Sequence, residues 1–385
     1  MTEFPKKLSA KLTERQTNNA LRKLPVPNGL IDFSSNDYLG FAKNETIFKN
    51  ASSILEKKGV IANGATGSRL LTGNDGLYGE LEDLLASFFG SESALVFNSG
   101  YDANIGFFSA VPQRSDVVFY DELSHASIRD GIGMGLAQSY KFKHNRLKGL
   151  KGQIDRTRER KTDGDIYVVT ESVFSMDGDT PDLKALVELC TSKGAYLVVD
   201  EAHAVGVFGK RGEGLLNDLG LQDKVFARIV TFGKAMGCHG AAILGSHTLK
   251  SYLVNFARSF IYTTGMPPHS LATILAACEH MSMSRGGQMQ LRANIEFFKD
   301  QLRGYELEAY FIPSNSAVHC CLVEGNEKVK NWSLQLQDKG FDVKPIMSPT
   351  VPKGQERLRF CLHSFNTENE IKDVLLSLAQ LFEKK

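Results

Sequence analysis

The sequence predicts an α/β protein built on a mainly parallel sheet. Three observations carry that prediction. Between Ala94 and Leu244, short apolar runs of strand length alternate with segments of helical periodicity. Glycines and polar residues cluster where these runs end, and sheets of this kind bind ligands at the C-terminal ends of their strands. Beyond Met266-Pro267-Pro268 the pattern changes to two long helical stretches and a small mixed region.

Taken in order, Met1 to Lys23 is polar and basic with scattered leucines, and reads as an amphipathic helical arm. Ile31 to Phe33 is a short strand entering the turn at Asn36-Asp37-Tyr38-Leu39-Gly40. Thr46 to Lys58 is helical by its apolar spacing at Ile47, Ala51, Ile54 and Leu55. A glycine-rich loop from Asn63 to Arg69 precedes a second amphipathic helix, Leu77 to Phe89. Strand-like runs follow at Ala94 to Phe97, Val117 to Tyr120, Ile166 to Thr170, Ala195 to Val199, Arg228 to Phe232 and Ala241 to Leu244. Helices fill most of the gaps, at Ser124 to Gly135, Leu147 to Arg160 and Asp182 to Lys193. The two long helical stretches are His269 to Arg285 and Gln288 to Arg303. After them come strands near Ala317 to Val323, Phe341 to Pro345 and Arg357 to Leu362, with helices at Glu327 to Lys339 and Glu368 to Glu383. The expected organisation is an arm over residues 1–40, a large domain over 41–275 and a small domain over 276–385.

Bulk properties exclude several classes. Of 385 residues, 42% are hydrophobic and 23% charged, which suits a large globular core. A formal net charge of +1 gives no broad field for nucleic acid or membrane. No apolar run reaches the roughly 18 residues of a membrane span, and the N-terminus carries no signal-peptide pattern. The six cysteines form no Cys-x-x-Cys pair and no zinc spacing with histidine, so no metal site is expected. Cys190, Cys278 and Cys361 sit in apolar periodic segments and read as core thiols; a reducing cytoplasm is the expected location.

The chemistry concentrates at two strand ends. Thr231-Phe232-Gly233-Lys234 follows one strand, and Asp200-Glu201-Ala202-His203 follows the strand before it. Singly, Lys234 reads as a lysine in a surface turn, Asp200 as a helix N-cap and His203 as a loop histidine. Together, an acid and a histidine three apart at one strand end and a lysine at the next suggest a cofactor site. The chemistry that fits is a Schiff base on pyridoxal 5'-phosphate (PLP). The glycine-rich loop does not bind nucleotide phosphate as a P-loop, because it lacks the Gly-Lys-Ser/Thr ending and no strand leads straight into it. No Gly-x-Ser-x-Gly elbow and no His-Glu-x-x-His occurs.

These motifs, with Glu171-Ser172-Val173-Phe174-Ser175-Met176-Asp177-Gly178 before them in the chain, resemble the α-oxoamine synthases. These are PLP enzymes of the aspartate-aminotransferase fold (fold type I). The resemblance runs from Asp32-Phe33-Ser34-Ser35-Asn36 to Arg357-Leu358-Arg359. It implies a large domain with a mainly parallel seven-stranded sheet, a smaller α+β C-terminal domain, and a homodimer with shared active sites. It implies a decarboxylating Claisen condensation of a small amino acid with an acyl thioester. The loop from Gly64 to Asn74 and the stretch Asp121 to Gly131 look most like the member that joins L-alanine to pimeloyl on acyl carrier protein or coenzyme A. Members using glycine or L-serine are rivals. Glu201-Ala202-His203-Ala204-Val205 and Cys238-His239 depart from the usual pattern beside the site and bear on substrate preference. A non-catalytic regulator or partner subunit is the rival from another class, and the intact site argues against it.

The resemblance also implies roles. Lys234 carries the cofactor, Asp200 faces the pyridine nitrogen, and His203 and Ser175 lie near the phenolic oxygen. His125, in Ser124-His125-Ala126-Ser127, stacks on the ring. Gly100 and Tyr101 offer amides to the phosphate and Thr231 its hydroxyl. Thr263 and Thr264 reach the phosphate held by the other subunit; capping before the prolines is their ordinary alternative. Arg359 grips the amino-acid carboxylate, with Arg357 on the same strand face as its alternative. Asn36 helps orient that carboxylate. Arg22 contacts the acyl substrate, and Thr350 lies on the acyl-donor side.

Overall fold

In the computed structural model, residues 4–22, 24, 26, 29–160 and 163–383 are described. Twelve strands occur among them: β1 (Ile31–Asp32), β2 (Ser93–Phe97), β3 (Val117–Asp121), β4 (Gln138–Phe142), β5 (Ile166–Glu171), β6 (Tyr196–Asp200), β7 (Ala227–Thr231), β8 (Ala241–Gly245), β9 (Val318–Leu322), β10 (Phe341–Asp342), β11 (Lys344–Ile346) and β12 (Arg357–Cys361). The chain divides into two compact units. One comprises residues 36–175 and 180–290; the other comprises 1–35, 176–179 and 291–385.

The larger unit is organised by a seven-stranded sheet in the order β2-β8-β7-β6-β5-β3-β4. All neighbours pair parallel except β8, which runs antiparallel to β2 and β7. The sheet is parallel because helical crossovers join its strands, and a sheet covered on both faces must be apolar on both. The strands obey this at period two. Val118, Val169, Val198, Ile229 and Ile243 enter one core with Phe107 and Phe108 of the helix Gly100–Ala110. Phe119, Val168, Leu197 and Val199 enter the other with Leu183 and Leu186 of the helix Leu183–Lys193.

Six of the seven strands stand where the sequence pattern puts them, within a residue at most ends. β4 escaped that pattern. It is the terminal strand of the sheet, and Gln138, Ser139, Tyr140 and Lys141 are exposed, so it carries almost no apolar signal. The expected domain boundary near residue 275 falls inside the helix Pro268–Met283, whose inner face packs on the helices Glu45–Lys57 and Gly76–Phe89. The division instead lies between 290 and 291, within the helix Gly286–Gly304. The prolines at 267 and 268 start a helix of the larger unit; they do not end the unit.

The smaller unit holds an antiparallel sheet, β11-β12-β9, and a parallel pair, β1-β10. The run Phe341 to Pro345, expected as one strand, is two. β10 pairs with β1 and β11 with β12, because Val343 turns the chain between them, its N–H bonded to Phe341 O at 3.2 Å. The N-terminal residues belong to this unit through β1 and through the Phe33 carbonyl, which accepts from Cys361 N at 2.8 Å. The expected arm begins at Met1 and ends at Lys23, both outside the described residues; Lys6–Thr17 is helical. No helix among the described residues is long and apolar enough to cross a membrane.

Candidate active site

The parallel register brings the expected residues to one edge. Glu171 and Asp200 stand directly opposite each other as the last residues of β5 and β6. β2 and β7 both run against β8, so Asn98-Ser99-Gly100 and Thr231 reach the same edge.

Asp200 is buried, and its carboxylate is held by two donors. Asn104 Nδ2 donates to Oδ2 at 2.9 Å and Ala202 N to Oδ1 at 2.9 Å. Among the described residues no cation lies within ion-pair distance of it. Asn104 Nδ2 also donates to Ser127 Oγ at 3.0 Å. Ser127 Oγ lies 2.7 Å from His125 Nδ1, which also accepts the Ser127 N–H at 3.2 Å. A ring nitrogen that accepts a backbone N–H carries a lone pair, so the His125 proton sits on Nε2. The Ser127 hydroxyl, accepting from Asn104, then donates to Nδ1. One amide thereby orients both the Asp200 carboxylate and, through Ser127, the His125 ring. Burial lowers the His125 pKa first; Asp200 opposes the shift and Lys234 reinforces it.

Glu171, fully buried, accepts the His125 N–H at 2.6 Å. Burial, and then the Asp200 charge, push its pKa up to about 8, against the His125 hydrogen bond and the Lys234 charge. His203 Nδ1 lies 2.6 Å from the Tyr38 hydroxyl, which reaches Asn36 Oδ1 at 3.2 Å. That bond ties Asn36 to the histidine three residues after Asp200.

Lys234 is half-buried on a closed loop between β7 and β8. Phe232 N donates to Gly240 O and Cys238 N to Phe232 O, both at 2.8 Å, and Gly237 N closes on Lys234 O at 2.8 Å. Gly237 has φ +61°, and a Cβ there would run into the Ala42 backbone nitrogen, so glycine is required for the tight turn behind the lysine. Cys238, unusual in its place, is desolvated; its thiol is pushed up to about 12 and is inert.

The helix Gly100–Ala110 begins under Thr231. Ser99 caps it, accepting from Asp102 N at 3.0 Å, and the first-turn amides of Gly100 and Tyr101 have no intrahelical acceptor. A Cβ built on Gly100 would lie 3.5 Å from Thr231 Oγ1, so the hydroxyl stands over that helix start. Asn98 Nδ2 donates to Thr263 Oγ1 at 3.0 Å and to Thr264 O at 2.8 Å, tethering both threonines beside the same turn. Ser175 closes the first segment of this unit.

Three expected residues belong to the smaller unit. Arg22 and Thr350 line one cavity of about 170 Å³. Arg359 lies on β12, facing Lys344 and Cys320 across the sheet. Arg357, its alternative, is engaged elsewhere: Nη1 pairs with Asp177 and donates to Met176 O at 2.8 Å, and Nε donates to Gln355 O at 2.9 Å.

Sequence reasoning missed Glu171, Asn104 and Tyr38. Each carried a faint signal. Glu171 is a carboxylate ending an apolar run, Asn104 a polar residue amid an apolar helix, and Tyr38 a member of the Asn36 turn. The larger unit's residues fit PLP. A buried carboxylate with no cationic partner among the described residues suits a protonated pyridine, since buried charges are otherwise paired. A helix start with open amides beneath a hydroxyl suits a phosphate. A half-buried lysine stands on the loop that follows the next strand. Among the described residues no group of three or more His, Cys, Asp or Glu is placed to hold a metal ion.

Comparison with known proteins agrees. The family model for aminotransferase class I and II matches residues 28–378. An 8-amino-7-oxononanoate synthase from Emericella nidulans is 37% identical over all of this chain and 98% of its own length. Among solved structures, serine palmitoyltransferase from S. paucimobilis, with a bound PLP–myriocin aldimine, superposes with a TM-score of 0.88 at 26% identity, covering 98% of this chain and 97% of its own. The 8-amino-7-oxononanoate synthase of Francisella tularensis gives a TM-score of 0.78 at 28% identity, covering 93% of this chain and 99% of its own.

Proposed function

Because the chain belongs to the aminotransferase class I and II family, and within it to the α-oxoamine synthases, we propose that it is a PLP-dependent acyltransferase joining L-alanine to a pimeloyl thioester. The donor is pimeloyl on acyl carrier protein or coenzyme A. Carbon dioxide is lost, and the product is 8-amino-7-oxononanoate, for biotin biosynthesis in the cytoplasm. The full-length similarity to an 8-amino-7-oxononanoate synthase is the observation that carries this reading.

Bound PLP supplies an electron sink for negative charge at the amino-acid α-carbon. Everything else falls to side chains. Lys234 anchors the cofactor and, once displaced by the amino acid, takes the α-proton on Nζ. Asp200, oriented by Asn104, holds the ring nitrogen protonated. His125 presents the ring face to the cofactor and Nε2–H to the substrate. His203 and Ser175 hold the phenolic oxygen. Gly100, Tyr101 and Thr231 hold the phosphate, and Thr263 and Thr264 reach the phosphate in the partner subunit of a homodimer. Arg359 grips the alanine carboxylate with help from Asn36, since Arg357 is engaged by Asp177. Arg22 and Thr350 receive the acyl donor.

The likeness to serine palmitoyltransferase supports a second reading within the family, with L-serine and a longer acyl chain; a glycine C-acetyltransferase is the further alternative. The test uses PLP-loaded protein. L-alanine, glycine and L-serine are added in turn while the visible spectrum is followed, and pimeloyl-CoA is then added and free thiol measured. A response to alanine with thiol release is expected. A response to serine or glycine alone, with silence toward pimeloyl-CoA, moves the protein to another member. Lys234→Ala abolishes turnover and keeps the fold; retained turnover removes Lys234 from its role. A colourless protein that cannot be loaded with PLP points to a non-catalytic partner or regulator.

A further inference from the structure

Two helices of the larger unit, Gly100–Ala110 and Ala126–Met134, meet backbone to backbone beside the site. A Cβ built on Gly131 would lie 2.7 Å from Asn104 O, 3.0 Å from Phe108 Cβ and 3.1 Å from Ile105 Cα. A Cβ on Gly135 would lie 2.9 Å from Phe108 O. A Cβ needs more room than that, so the helices approach this closely only because glycine stands at both positions. Ser127 lies four residues before Gly131, on the same face of its helix. The close approach sets its hydroxyl 3.0 Å from Asn104 Nδ2.

Asn104 and Ser127 are both buried, so water does not compete for the bond between them. Asn104 commits Nδ2 to Asp200 and to Ser127, and its Oδ1 has no partner among the described residues. A buried acceptor left open is a cost that folding ordinarily avoids. The reverse amide would set Oδ1 against the Asp200 carboxylate and leave the N–H bonds open instead. The charge on Asp200 therefore fixes the amide. The amide fixes the Ser127 oxygen as an acceptor, and the Ser127 proton is left for His125 Nδ1.

Resting on the roles proposed above for Asp200 and His125, we infer that Gly131, Asn104 and Ser127 are positioning residues: the helix contact at Gly131 couples the Asp200 carboxylate to the protonation of His125. None of the three touches a reacting atom. Asn104 acts through Asp200, and Ser127 acts through His125. A hydrogen bond donated to Nδ1 occupies the lone pair there and opposes a second proton on the ring, so the ring stays neutral with Nε2–H free for the substrate. The charges that face this ring are Asp200, Lys234, Arg129 and Asp130, and Glu171 accepts the His125 backbone N–H. Among the described residues only Ser127 donates to Nδ1, from its hydroxyl and from its N–H.

The first readout needs neither cofactor nor turnover. Nitrogen NMR follows the histidine rings of isotope-labelled apo-protein, and a His125→Gln sample identifies the His125 ring. In Ser127→Ala, which keeps the backbone donor and loses the hydroxyl, the pH at which the ring takes its second proton rises by about half to one unit, the worth of one neutral hydrogen bond. Asn104→Leu, of similar size, moves it in the same direction, because the hydroxyl is no longer held. Gly131→Ala alters neither bonding group, parts the helices and reproduces the shift. The second readout is PLP affinity, from the visible absorbance on loading. Asn104→Leu weakens it about tenfold to a hundredfold, the range of a hydrogen bond to a charged group. Ser127→Ala weakens it less, since Asn104 still holds Asp200. Circular dichroism checks that each variant keeps its fold. A folded Ser127→Ala protein whose His125 titrates as in the wild type overturns the inference. So does Gly131→Ala with both wild-type titration and wild-type PLP affinity. The proposed reaction is judged apart. These shifts without turnover of alanine and pimeloyl-CoA keep the coupling and reject the reaction, whereas turnover without the shifts rejects the coupling alone.

Discussion

Arg228 offers the sharpest test of how the larger unit is held together. It lies on β7, three residues before Thr231, and is fully buried. Its Nε and Nη2 donate to Glu201 Oε2 at 3.0 and 2.5 Å. Nη1 donates to Phe89 O at 2.9 Å, and Nη2 also reaches Glu213 O at 3.0 Å and Asn217 Oδ1 at 2.7 Å. Glu201 follows Asp200 directly and has no exposed surface; its other oxygen accepts from Leu216 N at 3.0 Å. Arg228→Met keeps most of the volume and removes every one of those donors, leaving a buried carboxylate unpaired. Breaking a buried pair from one side costs about 3–5 kcal/mol. At about 2–4 °C per kcal/mol for a domain of 150–250 residues, Tm falls by about 6–20 °C. The assay is thermal denaturation followed by circular dichroism. The double variant Arg228→Met with Glu201→Met removes the orphan charge, so it recovers much of the loss, short of what the unsatisfied Leu216 N–H still costs. A single variant within about 2 °C of wild type, or a double variant no more stable than the single, refutes the reasoning.

Two buried groups make pH predictions of opposite sign. Glu171 has its folded pKa raised to about 8 by burial and by Asp200. In the range between its ordinary value and 8 the unfolded chain has lost the proton and the folded chain keeps it. Its contribution is full below pH 4.5 and is lost as pH rises, at about 1.4 kcal/mol per unit. Glu171→Gln should gain on wild type between pH 5 and 8 in denaturant titrations of the apo-protein; parallel pH curves would falsify the protonated assignment. His319, buried beside Phe298 with Nε2 lacking a partner, is driven down to about 3 by burial. Its unfolded form takes up the proton first on acidification. Its contribution is full above pH 6.5 and falls toward pH 3 at a similar slope. His319→Gln flattens acid unfolding in that window; an unchanged acid limb would place the lost stability elsewhere.

The sequence by itself determined the sheet and the chemistry. Apolar runs of period two mark buried strands, and these placed β2, β3, β5, β6, β7 and β8. The edge strand β4 wrote no such pattern, because Gln138 to Lys141 face solvent. Lys234, Asp200, His203 and His125 were legible because each sits in a short motif at the end of a strand or the start of a helix, where the local chain already fixes the direction of the side chain. Tertiary structure alone decided the partners. Arg357 and Arg359 are equivalent by strand period, and only the turn bearing Asp177, 180 residues away, engages Arg357. Glu171 becomes a raised-pKa acid because the fold buries it and register sets it opposite Asp200. Asn104 orients Asp200 across 96 residues of chain. The end of the helix Lys6–Thr17 is tied to the loop at Ser348 by Asn326, which bonds the carbonyls of both Asn18 and Ser348. Periodicity is a property of neighbours along the chain, whereas desolvation and hydrogen bonding depend on which distant groups are brought into contact.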